Sequence, residues 1–316
     1  MHFIYFITEI SLLHKKAIII GCDGQDGRLL SDYLSLKGYS VTGISKNNFN
    51  ILDSNSVIML VKELLPNEIY FLAAYHNSSE GRPESDEDIF ANSFEINTIA
   101  LSTCLHAIQK YSKLTKLFYA SSCLIYEGSS EEFINENSII CPQSPYAISK
   151  YSGMQVCNYY KNIKSLFVCS GILFNHESPL RKNKFVSKKI VECVARILKG
   201  SKESLEIGDL ESKVDWGYAS DYVEAMNLML QLNEPHDFII ATGETHSVRE
   251  FVEYAFFYAG LNYEDHVVVN SDLITKRKNI KSGDPSLIKS KTGWYPRVSF
   301  TKMIENMVDF EISALK

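Results

Sequence analysis

A tyrosine and a lysine four residues apart, Tyr146 and Lys150, are the side chains in this sequence best suited to chemistry. In a helix, residues at this spacing lie on the same face. A tyrosine has an ordinary pKa of about 10, but an ammonium within a few ångström favours the phenolate and lowers that pKa. Tyr146 could then accept an alcohol proton, which is half of an alcohol oxidation. Because such a pair is usually only a surface pair, this interpretation requires a hydride acceptor nearby.

A binding site for that acceptor is indicated near the start of the chain. Residues 16–20 are mostly β-branched, as in a buried parallel strand, and three spaced glycines and a helical pattern follow. Glycines permit a tight turn and a close approach to a pyrophosphate, which the N-terminus of the following helix faces. We therefore predict a dinucleotide site that includes Gly21, Gly24, Gln25, Asp26 and Gly27.

The next strand indicates which dinucleotide would bind. A strand predicted over residues 39–44 ends at Ser45 and Lys46, where the adenine ribose would lie. An acid at this place selects the free 2′-hydroxyl of NAD, and an arginine accommodates the 2′-phosphate of NADP. The sequence offers neither, and the absence of an arginine favours NAD (NADH). The cofactor contacts predicted at the ends of strands are Ser45, Lys46, Asp53, Leu72, Ala73 and Ala74.

Strands and helices alternate along the chain. Strands are predicted over residues 16–20, 39–44, 50–53, 68–74, 117–122 and 166–172, and residues 238–242 are predicted to return to the same sheet. Helices are predicted over residues 54–65, 94–111 and 185–198, and a capping box at Ser247 predicts one more. This order predicts an α/β fold with a doubly wound parallel sheet, whose ligands bind at the C-terminal ends of the strands.

Two interleaved domains are expected. Residues 15–174 would form the dinucleotide-binding domain, with a returning segment over about 217–243, and residues 175–216 and 244–316 would form a smaller α/β substrate lobe. We expect residues 1–14 to be an extension without function. They are apolar but too short to span a bilayer, and no basic segment or cleavage site frames them.

Composition excludes several functional classes. The chain has 45% hydrophobic and 22% charged residues, as in ordinary globular proteins, and a net charge of −6 gives no reason to expect nucleic acid as a partner. Its seven cysteines are scattered without a C-x-x-C pair, which favours reduced thiols over disulfides or a zinc site. We expect a cytoplasmic protein without a metal or a membrane partner.

Several longer stretches resemble one family of proteins. The glycines, Ser122 and the Tyr146–Lys150 pair together resemble an extended short-chain dehydrogenase/reductase. Residues 24–27, 171–179, 215–223 and 241–250 resemble the GDP-mannose 4,6-dehydratase family closely. The likeness runs from Lys16 to the C-terminus. It implies a GDP-linked manno-configured sugar, a nicotinamide cofactor and oxidation at C4 of the sugar.

The resemblance also implies roles for individual residues. Ser122 would hydrogen-bond the C4 hydroxyl, Tyr146 would take its proton, and Lys150 would hold the ribose and polarise Tyr146. His176 and Glu177 match the family's pattern but are given no role. The positions that the resemblance places at the nucleotide-sugar are Asn175 and Lys189, and possible pyrophosphate partners are Lys213 and Arg277.

Four departures from the family's pattern change what is expected. Leu124 stands at the position of the family's catalytic glutamate. Val214 stands at the position of the arginine that precedes the Asp-Trp-Gly motif in the family. Asp23 replaces a threonine of the family's glycine loop, and its negative charge would repel the phosphates if the side chain pointed at them. The arginine-bearing loop after the second strand is missing; because that loop binds the 2′-phosphate and bridges subunits in the family, we expect NAD and a homodimer.

Leu124 decides between the possible activities. A leucine can neither take nor give a proton, so the leading interpretation is C4 oxidation of GDP-mannose or GDP-manno-heptose without dehydration. A bacterial capsule or lipopolysaccharide pathway is expected by family analogy. The alternatives are an active 4,6-dehydratase that uses another base and a non-catalytic NAD-binding sensor. Cys123 and Glu127 are nearby groups that could substitute for the missing glutamate, but if the strand continues past Ser122 they would point away from Ser122 and Leu124. A base could also come from the polar loop over residues 76–88.

Overall fold

The computed structural model describes residues 14–75, 85–270, 272 and 281–315. The strands are β1 (Lys16–Ile20), β2 (Ser40–Ile44), β3 (Glu68–Phe71), β4 (Lys116–Ser122), β5 (Phe133–Ile134), β6 (Val168–Leu173), β7 (Asn175–Glu177), β8 (Leu205–Ile207), β9 (Lys213–Val214), β10 (Trp216–Tyr218), β11 (Phe238–Ile240), β12 (His246–Ser247), β13 (Val267–Val269) and β14 (Ser282–Gly283). The α-helices are α1 (Gln25–Leu36), α2 (Ser54–Leu64), α3 (Asp86–Phe94), α4 (Leu101–Tyr111), α5 (Pro145–Asn162), α6 (Val186–Leu198), α7 (Ala219–Gln231), α8 (Val248–Tyr258), α9 (Ser286–Thr292) and α10 (Phe300–Ala314).

Six parallel strands form the central sheet, in the order β11-β6-β4-β3-β1-β2. The α/β fold with a parallel sheet is therefore confirmed, and so is the return of the chain at residues 238–240. Alternate residues of each strand enter different cores: Ile18 and Ile20 pack with α2, α4 and α5, and Ala17 and Ile19 pack with α1 and α7. A sheet covered on both faces needs apolar residues at nearly every strand position, which is why β1 is a continuous apolar run.

The strand predicted over residues 50–53 is wrong. Asn50 accepts a hydrogen bond from the backbone N–H of Leu52, and Asp53 caps α2 by accepting from the N–H of Asn55 at 3.1 Å and from the Ser56 hydroxyl at 2.6 Å. These short polar side chains bond the local backbone, which favours a turn and a helix start over a strand. The predicted strand 68–74 also ends early, at Phe71.

The helix predicted over residues 94–111 is longer and less regular than expected. It begins at Asp86 as α3, passes through a π-helical segment over Glu95–Ala100, and continues as α4 to Tyr111. Such segments are rare and are frequently found at functional sites, because the wider turn redirects side chains. Asn97 lies in this segment and is fully buried.

The C-terminal lobe has its own hydrophobic core, in which α6, α8 and α10 pack together around Trp216. The capping box at Ser247 is confirmed, since its side chain accepts from the N–H of Glu250 and the Glu250 carboxylate accepts from the N–H of Ser247. The exact domain boundaries stay a prediction. All seven cysteines lie within the described residues and are free thiols.

Two features are absent from the described residues. No helix there is both long enough and apolar enough to cross a membrane. No group of three or more histidine, cysteine or acidic side chains in that part of the chain is arranged to hold a metal ion.

Candidate functional site

Helix α5 carries Tyr146 and Lys150 on one face, as predicted. Its start is well specified: the Ser144 side chain accepts from the N–H of Ala147 at 3.4 Å, and Pro145 occupies the first turn. The helix packs closely on β4 at Gly153, where an added Cβ would lie 2.3 Å from the Tyr119 hydroxyl oxygen. This close packing places the first turn of α5 against the C-terminal end of the sheet.

The Lys150 side chain is buried next to Tyr146. Its Nζ donates to the carbonyl oxygen of Ala120 at 2.8 Å and lies 5.7 Å from the centre of the Tyr146 ring. The side chain is only 1% exposed, and burial lowers the pKa of Lys150 to about 7. The predicted proximity of the two side chains is therefore confirmed, but the Lys150 amine holds its proton less readily than the sequence suggested.

Burial also raises the pKa of Tyr146 well above its ordinary value. The nearby Cys123 thiol acts in the same direction, whereas a hydrogen bond with Ser122 and the charge of Arg181 act to lower it. The expectation that Lys150 by itself brings the pKa of Tyr146 towards neutrality is wrong in this state of the protein. A further positive charge near the phenol would favour its ionised form.

Sequence reasoning missed Asn97, which supports the Tyr146 helix from the π-helical segment. Its amide donates to the Ser149 hydroxyl at 2.8 Å, and its backbone carbonyl accepts from the Tyr119 hydroxyl at 3.0 Å. The amide oxygen also accepts from the N–H of Tyr75, which follows β3. Asn97 stands four residues before Leu101 and eight before Leu105, and an asparagine on that apolar face is the signal that could have identified it.

Ser122 ends β4 and begins a short 3₁₀ helix over Cys123–Tyr126. Its hydroxyl oxygen accepts from the N–H of Leu124 at 3.3 Å. The chain therefore leaves strand geometry at Ser122, and the predicted alternation of side chains beyond it is wrong. Cys123 lies close enough to Tyr146 to affect its pKa, and the Glu127 carboxylate is bonded to the N–H of Gln143 at 2.6 Å.

The glycine loop joins the ends of three neighbouring strands. Gly21 and Cys22 donate their N–H groups to the carbonyl of Ile44, at the end of β2. Gly21 has a φ of +102°, and an added Cβ would lie 2.7 Å from the backbone nitrogen of Ala73, which follows β3. An added Cβ on Gly27 would lie 2.3 Å from the Gly21 carbonyl oxygen. Neither position tolerates a side chain, so the loop lies flat against the first turn of α1.

The start of α1 is suited to an anion. Gly24 precedes the helix without any side-chain capping bond, so no side chain occupies the N–H groups of the first turn from that position. A tight glycine cradle beside such a helix start fits the pyrophosphate of a dinucleotide. Among the other predicted cofactor residues, Leu72 and Ala73 are partly buried and Ala74 is exposed, just beyond β3.

Asp23 turns away from the start of α1 and towards the end of β2. Its carboxylate accepts from the side-chain amide of Asn47 at 2.8 Å, and bonding to Ser45 lowers the pKa of Asp23. Lys46 is exposed beside it. An acid is thus present where the ribose of a dinucleotide is expected, although it comes from the glycine loop and not from the end of β2, where the sequence offers none.

Gln25 and Asp26 face the Asn-His-Glu-Ser segment. The Gln25 amide donates to the carbonyl of His176 at 3.0 Å and accepts from the Ser178 hydroxyl at 2.8 Å. Asp26 pairs with the His176 ring at 3.0 Å. These side chains therefore join α1 to β7, and only their backbone N–H groups are left to face a pyrophosphate.

The predicted substrate residues lie on several different elements. Asn175 is exposed at the start of β7, and Lys189 is partly buried in the first turn of α6. Leu124 is partly buried beside Ser122, and Lys213 is exposed on β9. Arg277 lies outside the described residues.

Comparisons with known proteins give one consistent result. The profile of the family described as "GDP-mannose 4,6 dehydratase" matches residues 47–307. A similar relative is GDP-mannose 4,6 dehydratase 1 of Arabidopsis thaliana, 34% identical over 344 residues, which cover 98% of this chain and 93% of the relative. The GDP-mannose 4,6-dehydratase of Vibrio cholerae serotype O1 is 32% identical over 350 residues, covering 93% of this chain and 92% of that protein.

Solved structures share the fold. RMD from Pseudomonas aeruginosa complexed with NADPH superposes with a TM-score of 0.82 at 22% identity, over 95% of this chain and 99% of that one.

Proposed function

This chain belongs to the GDP-mannose 4,6-dehydratase family, and we propose that it uses NAD to oxidise a GDP-linked manno-configured sugar at C4 without dehydrating it. The observation that carries the proposal is Leu124, which stands where the family resemblance places a catalytic glutamate. The product would be a 4-keto sugar that has lost two hydrogens and has kept its C6 oxygen.

The residues at the start of the chain fit a nicotinamide dinucleotide. Gly21, Gly24 and Gly27 would let the loop backbone approach the pyrophosphate closely. Gly21 and Gly27 must be glycine, because a Cβ at either position would collide with other backbone atoms of this chain. The Asp23 carboxylate, which faces Asn47 just beyond β2, favours NAD, since a negative charge beside the ribose would repel a 2′-phosphate. When bound, the oxidised nicotinamide supplies the hydride acceptor.

The roles of Ser122, Tyr146 and Lys150 follow from their positions. Ser122 bonds to Tyr146 at the end of β4, where its hydroxyl can orient the sugar hydroxyl that is to be oxidised. Tyr146 takes the hydroxyl proton. Burial raises the pKa of this phenol, so the positive charge of an oxidised nicotinamide would favour the phenolate when it is needed. Lys150, fixed on the Ala120 carbonyl, would hold the ribose beneath the ring.

Dehydration needs two further proton transfers. After C4 becomes a ketone, the C5 proton is acidic because its carbanion delocalises onto the carbonyl. Elimination then needs a base at C5 and an acid for the departing C6 oxygen. The Leu124 side chain can provide neither, and the nearby Glu127 carboxylate is bonded to the backbone of Gln143. Under the proposal the Cys123 thiol, which lies near Tyr146, does not act in their place, so the 4-keto sugar would leave the site intact.

The second candidate is a 4,6-dehydratase. It is favoured by the relatives, which carry that name and match nearly the whole chain. It requires a base other than the side chain at position 124. The segment considered for this role in the sequence, residues 76–88, lies outside the described residues over 76–84. By family analogy, the proposal includes GDP-mannose and a GDP-manno-heptose as possible substrates. It also includes capsule synthesis as the pathway that uses the product.

Mass analysis of the product separates the two candidates. GDP-mannose and a GDP-manno-heptose would each be incubated with enzyme and NAD, and the products would be identified by mass. Loss of two hydrogens supports the proposal, whereas a 6-deoxy-4-keto sugar from the wild type would refute it. We expect Leu124→Glu to begin making the 6-deoxy product, and Leu124→Gln, a polar control of similar size without a titratable proton, to make none.

A further inference from the structure

A partly buried ion pair between Asp26 on α1 and His176 on β7 has no role in the reaction described above. The His176 Nε2 atom lies 3.0 Å from both carboxylate oxygens of Asp26, and its Nδ1 atom lies 2.7 Å from the carbonyl oxygen of Phe174. Both partners only accept hydrogen bonds, so each ring nitrogen must carry a proton. With Asp26 ionised, this geometry therefore makes His176 an imidazolium.

The surroundings are consistent with a charged pair. Burial lowers the pKa of His176, but the Asp26 carboxylate outweighs it and raises that pKa overall. Burial likewise raises the pKa of Asp26, and pairing with His176 outweighs it. The other groups facing the pair are Arg181, whose charge lowers both pKa values, Tyr222, which stacks on the imidazole at 4.6 Å, and Tyr146. The pair is therefore held as carboxylate and imidazolium over a wide pH range.

The position of Asp26 makes this pairing consequential. It lies in the first turn of α1, at the helix start that the proposed dinucleotide site uses. A free carboxylate there would itself occupy the favourable potential of the helix N-terminus and would repel a pyrophosphate. Gln25 completes the connection, because it bonds to both the Asp26 carboxylate and the His176 carbonyl.

We propose that His176 is a positioning residue that neutralises Asp26, so that a dinucleotide pyrophosphate can bind at the start of α1 while β7 is locked to the glycine loop. This inference rests on the dinucleotide site of the proposed function but not on the reaction. The same contact links cofactor and substrate sites, because Asn175, a predicted substrate residue, immediately precedes His176 on β7.

Equilibrium binding of NADH to the cofactor-free protein tests the inference without turnover. We expect His176→Gln to bind NADH about 10- to 100-fold more weakly, the range for one unneutralised charge about 6–12 Å from an anion at an effective dielectric constant of about 20. Adding Asp26→Asn to that variant should restore affinity to within about threefold of the wild type. A matched control is His246→Gln, because His246 also stacks on an aromatic ring and faces a carboxylate, but in the C-terminal lobe; its NADH affinity should not change.

The pH dependence gives a test that does not require a histidine variant to fold. As pH rises through the raised pKa of His176, the ring loses a proton and Asp26 is left unneutralised, so wild-type affinity for NADH should fall. Asp26→Asn should not show this alkaline loss.

Either of two results would overturn the inference: His176→Gln binding NADH as tightly as the wild type, or the double variant binding as weakly as His176→Gln, which would indicate a merely structural role. A wild type that binds NADH through this pair but makes a 6-deoxy sugar would refute the proposed reaction and leave the pair's role standing.

Discussion

Replacing Lys150 with methionine should make the cofactor-free protein more stable at acid pH. The Lys150 side chain is 1% exposed and donates one hydrogen bond, to the Ala120 carbonyl. Burial lowers its pKa from 10.5 to about 7. At about 1.4 kcal/mol for each pKa unit, burying the ammonium costs about 5 kcal/mol of folding free energy below pH 7.

The sign of the pH dependence follows from proton counting. Below about pH 7 the lysine is charged in both states, and the full cost is present. Between about pH 7 and 10.5 the unfolded chain holds the proton and the folded protein does not, so wild-type stability gains from rising pH until the cost has disappeared. Methionine removes this dependence but leaves the Ala120 carbonyl without its donor, which costs about 1–3 kcal/mol.

We therefore expect Lys150→Met to be about 2–4 kcal/mol more stable than the wild type at pH 6, and no more stable at pH 10. Urea unfolding of the two proteins across this range measures the difference, and the other titrating groups cancel in it. Lys161→Met is the matched control on the same helix: it removes a 2.7 Å ion pair with Asp237 and should stabilise at neither pH. A Lys150→Met protein that is less stable than the wild type at pH 6 would refute the argument. The variant should also lose turnover, as expected where a costly buried charge is kept for function.

Three further predictions concern catalysis, cofactor choice and assembly. Tyr146→Phe should lower turnover about 10²- to 10⁴-fold while NADH affinity is unchanged, and wild-type turnover should rise with pH because burial raises the pKa of this phenol; near-normal turnover of the variant would contradict the assignment. Asp23→Ser should improve NADP binding relative to NAD by about tenfold, which competition binding measures, and an unchanged ratio would show that Asp23 does not select the cofactor. Light scattering should give a dimer, because Ile99, in the π-helical segment, and Tyr159, on α5, are exposed apolar residues that a partner subunit could cover; a stable tetramer would disagree.

The parts of the site that could be predicted are those encoded by short, continuous patterns. The apolar run of β1, the glycines after it and the cap of α5 each act within a few residues, so the glycine loop and the Tyr146–Lys150 face appear where the sequence places them. Asn50 and Asp53 show the limit of this reasoning. Their neighbours are apolar enough to suggest a strand, but their side chains bond the adjacent backbone and produce a turn and a helix cap instead.

The parts that could not be predicted depend on contacts between distant residues. Asp23 gains its place beside the expected ribose from Asn47, which is 24 positions away, and Asp26 meets His176 across 150 positions. The pKa of Tyr146 is a second property that could not be predicted from the sequence. The spacing of Tyr146 and Lys150 gave their proximity correctly, but the desolvation of both groups follows from how deeply α5 packs on β4, which spacing alone does not contain.

The contact between Ser122 and position 124 explains how one activity could be lost while the other is kept. Under the proposed function, oxidation depends on the Ser122 hydroxyl, and elimination would depend on the side chain at position 124. The Ser122 hydroxyl is held by the backbone N–H of Leu124 at 3.3 Å, at the start of the 3₁₀ helix, and that donor is present whichever side chain follows it. A glutamate or a leucine can therefore occupy position 124 without releasing Ser122. For this reason we expect Leu124→Glu to add elimination to an enzyme that still oxidises, with the rate of NADH formation in the first turnover close to that of the wild type. A variant that lost this first oxidation would show that the two steps share more of the site than the backbone contact implies.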